Sequence, residues 1–216
     1  NKWADGQKRV FFTTFTKALI RNIASTFAGQ KLSKDKLKVS NLHKFALDFA
    51  KEAQVLPANT QFIFKEAEIK KHWEDFVSYL GEIPFTGDFL RKEYEQVIQE
   101  QHITSLDQYL NAQRKGRGEA LVASKREIIW KLFDKYDFYL YKDAKLPFRD
   151  LIFKLIKDLE KNPSKAPFSH IICDEVQDFS NLELRLLRHL VAEGPNDLFL
   201  TGDPFQNIYG RVINFS

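Results

Sequence analysis

Four carboxylates follow two short apolar runs in the last quarter of the chain. The run "SHIIC" leads into Asp174 and Glu175, Asp178 lies three residues further on, and "LFLTG" leads into Asp203. A hard cation such as Mg²⁺ binds a few carboxylates together with phosphate oxygens, and a neighbouring carboxylate can orient or deprotonate a water molecule. Each acid could instead only cap a helix or a turn. Two acid-ending runs together favour a cation and water site over separate caps.

The elements around these acids have the pattern of an α/β domain. Strands are expected at residues 9–15, 37–40, 168–173 and 196–203. Helical patterns follow the first three: one ends at Gly29, one is capped by Ser40 or Asn41, and one runs from a Ser180 cap to Gly194. Continuous apolar strands that alternate with helices predict a parallel sheet covered on both faces. Ligands of such sheets bind beyond the carboxyl ends of the strands, where the acids lie.

The middle of the chain has a different pattern. From about residue 62 to residue 162 the apolar residues recur at helical spacing, and no run indicates a strand. The expected core includes Trp130, Phe133, Tyr136 and Leu140. We therefore predict a mostly helical insertion at 62–162 within an α/β domain formed by 1–61 and 163–216.

Charge is unevenly distributed, although the formal net charge is only +4. Residues 1–60 hold 11 Lys and Arg against 4 Asp and Glu, and the next fifty residues are acidic. A basic block suggests a polyanion partner, or a solvated lysine-rich face. In "QRKGRG", Arg114, Lys115 and Arg117 could hold a phosphate backbone or form an ordinary exposed turn.

Cysteine usage and hydropathy narrow the protein class. Cys173 is the only cysteine, which excludes internal disulfides and multi-cysteine metal sites; we expect it to be a buried strand residue. The chain has no window of 18 apolar residues and no apolar signal core. We expect a cytoplasmic, monomeric chain without membrane contact.

Five segments resemble the UvrD/Rep-like superfamily 1 helicases. "ICDEVQD" resembles the family's second motif, the Walker B element, and "LTGDPFQNIYG" resembles its third motif. "FTTFTKALI" and "VSNLHKFA" are similar to two earlier elements, and "FLRKEYEQVI" with its neighbours looks like the family's helical insertion. The resemblance covers essentially the whole chain and implies a RecA-like P-loop NTPase sheet. It also implies an ATP-dependent helicase that moves on single-stranded DNA and acts at duplex junctions.

The resemblance implies a role for each matching residue of the ATP site. Asp174 would hold the Mg²⁺ bound to ATP, Glu175 would be the general base, and Gln206 would sense the γ-phosphate. The rest of the candidate ATP site consists of Gln177, Asp178 and Asp203.

Seven residues match positions that contact DNA in the family. They are Phe15, Thr16, Lys17, Asn41, His43, Tyr209 and Arg211. Arg211 stands where many relatives have tryptophan, so we expect it to contact a phosphate instead of stacking on a base. Single-strand binders combine a basic track with aromatic platforms, and the first five of these residues lie in the basic first block.

One expected motif does not occur in this sequence. A P-loop needs Gly, four residues, then Gly-Lys-Ser/Thr, and none of the nine glycines begins one. Residue 1 is Asn and the chain has no methionine, so we interpret the sequence as an excerpt that is inactive alone and whose sheet shows a gap or a repair. Two other hypotheses stay open: a non-catalytic nucleic-acid-binding module with a motor fold, and a Mg²⁺-dependent nuclease that uses Asp174, Glu175 and Asp203.

Overall fold

A computed structural model describes residues 9–28, 36–118 and 120–203. They form two compact units: the sheet unit, up to Val55 and again from Leu151 onward, and the helical unit, Leu56–Asp150. Each unit is described by itself. The predicted division at 61/62 and 162/163 stays a prediction.

The elements alternate between strands and helices near both ends of the described chain. In chain order they are β1 (Val10–Thr14), α1 (Lys17–Ala28), β2 (Leu37–Val39), α2 (Leu42–Glu52), β3 (Gln61–Ile63), α3 (Glu66–Leu80), α4 (Gly87–Glu93), α5 (Leu106–Asn111), α6 (Ala123–Asp143), β4 (Lys145–Pro147), α7 (Phe148–Lys161), β5 (His170–Asp174), α8 (Asn181–His189) and β6 (Leu198–Leu200). A π-helix, Tyr94–Gln99, continues α4.

The predicted parallel sheet is confirmed in the sheet unit. Its strand order is β2-β1-β5-β6, and every neighbouring pair is parallel. The register pairs Val10 with His170 and Thr14 with Asp174, so β1 and β5 end at the same level. Of the two expected outcomes, a gap or a repaired sheet, the gap does not occur between the described strands. Residues 1–8, which also bear on this prediction, lie outside the described part.

Aromatic packing builds the core on one face of this sheet. Phe11 is fully buried and stacks on Phe168 with ring centroids 4.8 Å apart, and the ring of Phe45 lies 4.8 Å from Phe11. Phe45 belongs to α2, whose buried residues recur at the helical spacing read from the sequence. Cys173 is also fully buried, as predicted. Burial and the nearby Asp174 raise the pKa of its thiol to about 12.

Helix α8 is shorter than predicted. Its N-terminus is the expected Ser180 cap, but the helix ends at His189 rather than near Gly194. The backbone that follows pairs with Phe168: the Phe168 N–H donates to Leu190 O at 3.2 Å and the Ala192 N–H donates to Phe168 O at 3.0 Å. These bonds replace the next helical turn.

The helical unit is built around stacked aromatic rings. Trp73 stacks on Tyr136 at 4.1 Å, and both side chains are buried. The predicted core residues Phe133, Tyr136 and Leu140 are buried, whereas Trp130 is only half-buried. No helix among the described residues has the length and apolar content needed to cross a bilayer.

The expectation that the middle segment has no strand was wrong. Strands β3 and β4 form a parallel pair in which Gln61 lies opposite Lys145 and Ile63 opposite Pro147. Each strand has three residues, which is too short to show a period of two in the sequence. Their pairing depends on a partner more than eighty residues away, so local pattern cannot detect it.

Candidate nucleotide and nucleic-acid site

Asp174 and Glu175 lie at the carboxyl end of β5. Asp174 is the last residue of that strand, and its Oδ1 accepts a hydrogen bond from Thr201 Oγ1 at 2.5 Å. Glu175 has φ +56° and ψ +44°, the left-handed conformation that costs a non-glycine residue about 1–2 kcal/mol. The chain therefore turns sharply between the strand and the short 3-10 turn that follows it.

Gln177 links the acids to the neighbouring strand. Its side-chain amide donates to Glu175 Oε2 at 2.5 Å, and its carbonyl oxygen accepts from the Asp203 N–H at 3.2 Å. Gln177 is only 2% exposed. The segment after β6 is held there by two backbone bonds as well, Val176 N–H to Thr201 O at 3.0 Å and Thr201 N–H to Cys173 O at 2.8 Å. The structure thus brings the predicted residues Asp174, Glu175, Gln177 and Asp203 to one edge of the sheet.

Gly202 makes this close approach possible. A Cβ atom at this position would overlap Gln177 Oε1 and would lie 2.8 Å from Val176 Cγ2. Any side chain would therefore displace the amide that holds Glu175. Gly202 was not predicted as a site residue, although the sequence "LTGD" contained it.

The oxygen donors at this edge suit a hard cation. The Asp174 carboxylate and the Thr201 hydroxyl are oxygen ligands of the kind that Mg²⁺ takes together with phosphate oxygens. Among the described residues, no group of three or more His, Cys, Asp or Glu side chains is arranged to hold a metal ion. This donor set fits a metal that arrives bound to phosphate.

Asn41 joins two of the candidate DNA-contact segments. Its side-chain amide donates to Phe15 O at 3.2 Å, and its Oδ1 accepts from the His43 N–H at 2.9 Å, which caps α2. Phe15 follows β1, is 37% exposed, and contacts Phe179 edge-on with ring centroids 6.0 Å apart. Phe15, Asn41 and His43 therefore lie together beyond the carboxyl ends of β1 and β2.

His43 is held by a buried carboxylate. Its Nε2 contacts Glu183 Oε1. The His43 side chain is 41% exposed, and the Glu183 side chain is 10% exposed. Burial is the largest influence on Glu183 and opposes its ionisation, but hydrogen bonds from His43 and Ser180 outweigh it and lower the pKa of Glu183. Glu183 therefore acts as an ionised acceptor at neutral pH.

The remaining predicted residues have simpler surroundings. Thr16 and Lys17 are exposed at the start of α1. Asp178 is half-buried, and its N–H donates to Glu175 O at 3.0 Å within the 3-10 turn. Three predicted site residues lie outside the described part of the chain: Gln206, Tyr209 and Arg211.

The sequence "QRKGRG" was interpreted as a phosphate-binding segment or as an exposed basic turn. Both interpretations were wrong for its two arginines. The side chains of Arg114 and Arg117 are only 5% and 9% exposed, and both pair with Glu93, which is fully buried. Arg114 binds Glu93 through two nitrogens at 2.8 and 2.9 Å, and Tyr109 OH donates to the same carboxylate at 2.7 Å. Only Lys115 remains an exposed cation of this turn. The arginines neutralise a buried acid that sequence pattern did not identify.

Comparison with known proteins places the chain in a family. The model of the UvrD/REP helicase N-terminal domain matches residues 4–211. The chain therefore belongs to the UvrD/REP helicase family, and the predicted resemblance is confirmed.

Three curated relatives show how much of a longer protein the chain matches. It is 25% identical to the probable DNA helicase II homolog of Mycoplasma genitalium over 97% of the chain and 31% of that protein. It is 35% identical to the ATP-dependent DNA helicase srs2 of Schizosaccharomyces pombe over 37% of the chain and 9% of that protein. It is 22% identical to an ATP-dependent helicase/nuclease of Lactobacillus helveticus over 76% of the chain and 14% of that protein. The chain thus spans less than a third of the length of each of these relatives.

Proposed function

We propose that the chain is part of an ATP-dependent DNA helicase or translocase, in which ATP hydrolysis drives movement on single-stranded DNA and unwinding at duplex junctions. The observation that carries this proposal is the acid pair Asp174 and Glu175 at the carboxyl end of β5, linked through Gln177 to the backbone of Asp203. Membership of the UvrD/REP helicase family supports it, as do relatives named ATP-dependent DNA helicases.

Asp174 and Glu175 would have different roles at the ATP site. Asp174 would hold Mg²⁺, which when bound supplies positive charge to the phosphate oxygens. Glu175 would orient or deprotonate the attacking water, and its bond from Gln177 holds the carboxylate in one orientation. Asp178 and Asp203 would complete the polar surroundings, and Gln206 would sense the γ-phosphate.

The DNA side would use the neighbouring strand ends. Phe15 presents a partly exposed ring on which a base could stack, and Lys17 supplies an exposed cation for a phosphate. Thr16, Asn41 and His43 would add polar contacts to the strand. By their resemblance to the family motif, Tyr209 would meet a base and Arg211 a phosphate.

A second candidate is a non-catalytic nucleic-acid-binding module with a motor fold. The observation that favours it is the lack of a Gly-x4-Gly-Lys-Ser/Thr motif anywhere in these 216 residues. Phosphoryl transfer relies on positioned phosphates, so we expect this chain alone to hydrolyse no ATP. The reading frame around the coding segment separates the two candidates: a P-loop upstream and an arginine-bearing second motor domain downstream support the helicase.

Activity assays on the 216-residue chain test the proposal directly. We expect binding of oligo(dT), phosphate release from Mg²⁺-ATP at the buffer background, and no cleavage of DNA with Mg²⁺ alone. DNA-stimulated phosphate release that Glu175→Gln abolishes would contradict the expected inactivity of this chain. Strand cleavage without ATP that Asp174→Ala abolishes would support the nuclease instead. Lack of any binding to oligo(dT) would contradict the DNA-contact surface.

A further inference from the structure

Glu183 holds two parts of the sheet unit through its two carboxylate oxygens. Oε1 contacts His43 Nε2, near the start of α2. Oε2 accepts from the Ser180 N–H at 2.7 Å and from Ser180 Oγ at 2.6 Å, and Ser180 Oγ accepts from the Glu183 N–H at 3.3 Å. The second group of bonds is a capping box at the N-terminus of α8. One buried side chain therefore serves both a helix cap and a half-exposed histidine.

The helix that Glu183 helps to cap, α8, directly follows the segment that carries the acids. Residues 174–180 run from the end of β5 to the Ser180 cap, and Phe179 at the end of this segment contacts Phe15. The contacts His43–Glu183 and Phe15–Phe179 thus each join a candidate DNA-contact residue to a residue that follows the acids within ten positions of the chain. Glu183 therefore links His43 to Ser180, the last residue of the segment that begins with the acids.

We propose that Glu183 is a positioning residue for nucleic-acid binding, fixing the orientation and the protonated nitrogen of His43 and tying that ring to the acid-bearing segment 174–180. The inference rests on the proposed function, because it assigns Glu183 a task at the nucleic-acid surface. A carboxylate has acceptors only, so His43 must donate from Nε2. Glu183 acts through His43 and need not touch DNA.

A glutamine at this position separates the two tasks of Glu183. Glutamine has one acceptor oxygen and one donor NH₂, and either Glu or Gln can complete a capping box. In Glu183→Gln the oxygen can keep the bonds from Ser180, which leaves the NH₂ facing His43 Nε2. The imidazole must then accept at Nε2 and carry its proton on Nδ1. The Ser180→Ala variant makes the opposite change, since it weakens the cap and leaves the His43 contact in place.

The test combines ring tautomer with DNA affinity in the 216-residue chain. Long-range ¹H–¹⁵N spectra at alkaline pH are expected to show the His43 proton on Nε2 in the wild type and on Nδ1 in Glu183→Gln. Anisotropy of fluorescein-labelled oligo(dT) is expected to show about tenfold weaker binding for Glu183→Gln, which is about the size of one lost hydrogen bond between His43 and the DNA. His43→Ala should weaken binding to a similar degree, and the double variant should bind no more weakly than His43→Ala alone. Ser180→Ala should lower the melting temperature but keep binding within about twofold.

Each other outcome has a defined meaning. Binding by Glu183→Gln equal to the wild type, while His43→Ala is weak, would overturn the inference. So would a double variant that is weaker than His43→Ala by the full Glu183→Gln factor, because Glu183 would then act independently of His43. If His43→Ala itself binds like the wild type, the DNA contact assigned to His43 fails. The ring spectra then still decide whether Glu183 fixes the tautomer, which separates failure of the proposed function from failure of the positioning claim.

Discussion

The side-chain amide of Gln177 donates a hydrogen bond to Glu175 Oε2 at 2.5 Å. Because Gln177 is buried and its own carbonyl accepts from the Asp203 N–H, the orientation of the Glu175 carboxylate depends on the backbone that follows β6. A carboxylate that is to orient one water molecule needs such a fixed geometry. Changes in the 201–203 segment should therefore act on Glu175 without touching it.

Gly202→Ala tests this dependence. The added Cβ would overlap Gln177 Oε1 and meet Val176 Cγ2 at 2.8 Å, so the amide must move or the segment must shift. We expect a loss of about 1–3 kcal/mol in the free energy of unfolding, as for other overpacked positions, measured by urea denaturation. Gly194→Ala is the matched control, since its nearest atom would be Ala192 O at 4.0 Å. Equal unfolding midpoints for the two variants would contradict the close approach.

Sequence pattern predicted the parallel sheet well, because each strand of the sheet unit carries its own signal. β1 and β5 are continuous apolar runs followed by helices, and the acids mark where β5 ends. Strands β3 and β4 carry no such signal, because β4 reads Lys-Leu-Pro and a proline in a run argues against a strand. Local periodicity therefore predicts individual strands and helices, whereas the pairing of short strands is seen only in the folded structure.

The sequence predicted which residues belong to the candidate site but not the hydrogen bonds that join them. The acids and the DNA-contact candidates follow from motifs, whereas the contacts of Thr201 with Asp174 and of Glu183 with His43 join distant positions. The basic turn around Arg114 shows the opposite error. Its charges indicated an exposed cationic surface, but the buried Glu93 that neutralises them lies about twenty residues earlier on α4.

Glu93→Gln should destabilise the chain strongly. Glu93 is fully buried and pairs with Arg114 and Arg117, so removing its charge leaves two largely buried guanidinium groups without the carboxylate that neutralises them. Breaking a buried pair in this way costs about 3–5 kcal/mol. Urea denaturation at neutral pH measures the loss, and Glu68→Gln provides the control because the Lys65–Glu68 pair is exposed. A loss for Glu93→Gln no larger than for Glu68→Gln would show that the buried network does not contribute.

The Glu93 carboxylate should also make the free energy of unfolding depend on pH. Burial is the largest influence and raises the pKa of Glu93, but hydrogen bonds from Arg114 and Tyr109 and the arginine charges outweigh it, so the folded-state pKa lies below the ordinary value of a glutamate. A lowered pKa means that the contribution is fully present above the unfolded-state pKa and is lost as the pH falls through the folded-state pKa. The difference in free energy of unfolding between wild type and Glu93→Gln should therefore shrink on acidification below that range. A difference that stays constant from neutral to strongly acidic pH would contradict this assignment.

Lys17→Gln tests the polyanion contact proposed beside Phe15. Lys17 is exposed at the first position of α1, two residues after the partly exposed Phe15 ring. A lysine that neutralises one phosphate contributes about one unit to the slope of log affinity against log salt concentration, and slightly less for single strands. We expect weaker binding of Lys17→Gln to every oligonucleotide sequence at low salt and a slope reduced by about that amount. Lys65→Gln is the control, because Lys65 is 81% exposed and belongs to the helical unit. An unchanged slope for Lys17→Gln would remove Lys17 from the contact, and an equal change for Lys65→Gln would show only a general effect of net charge.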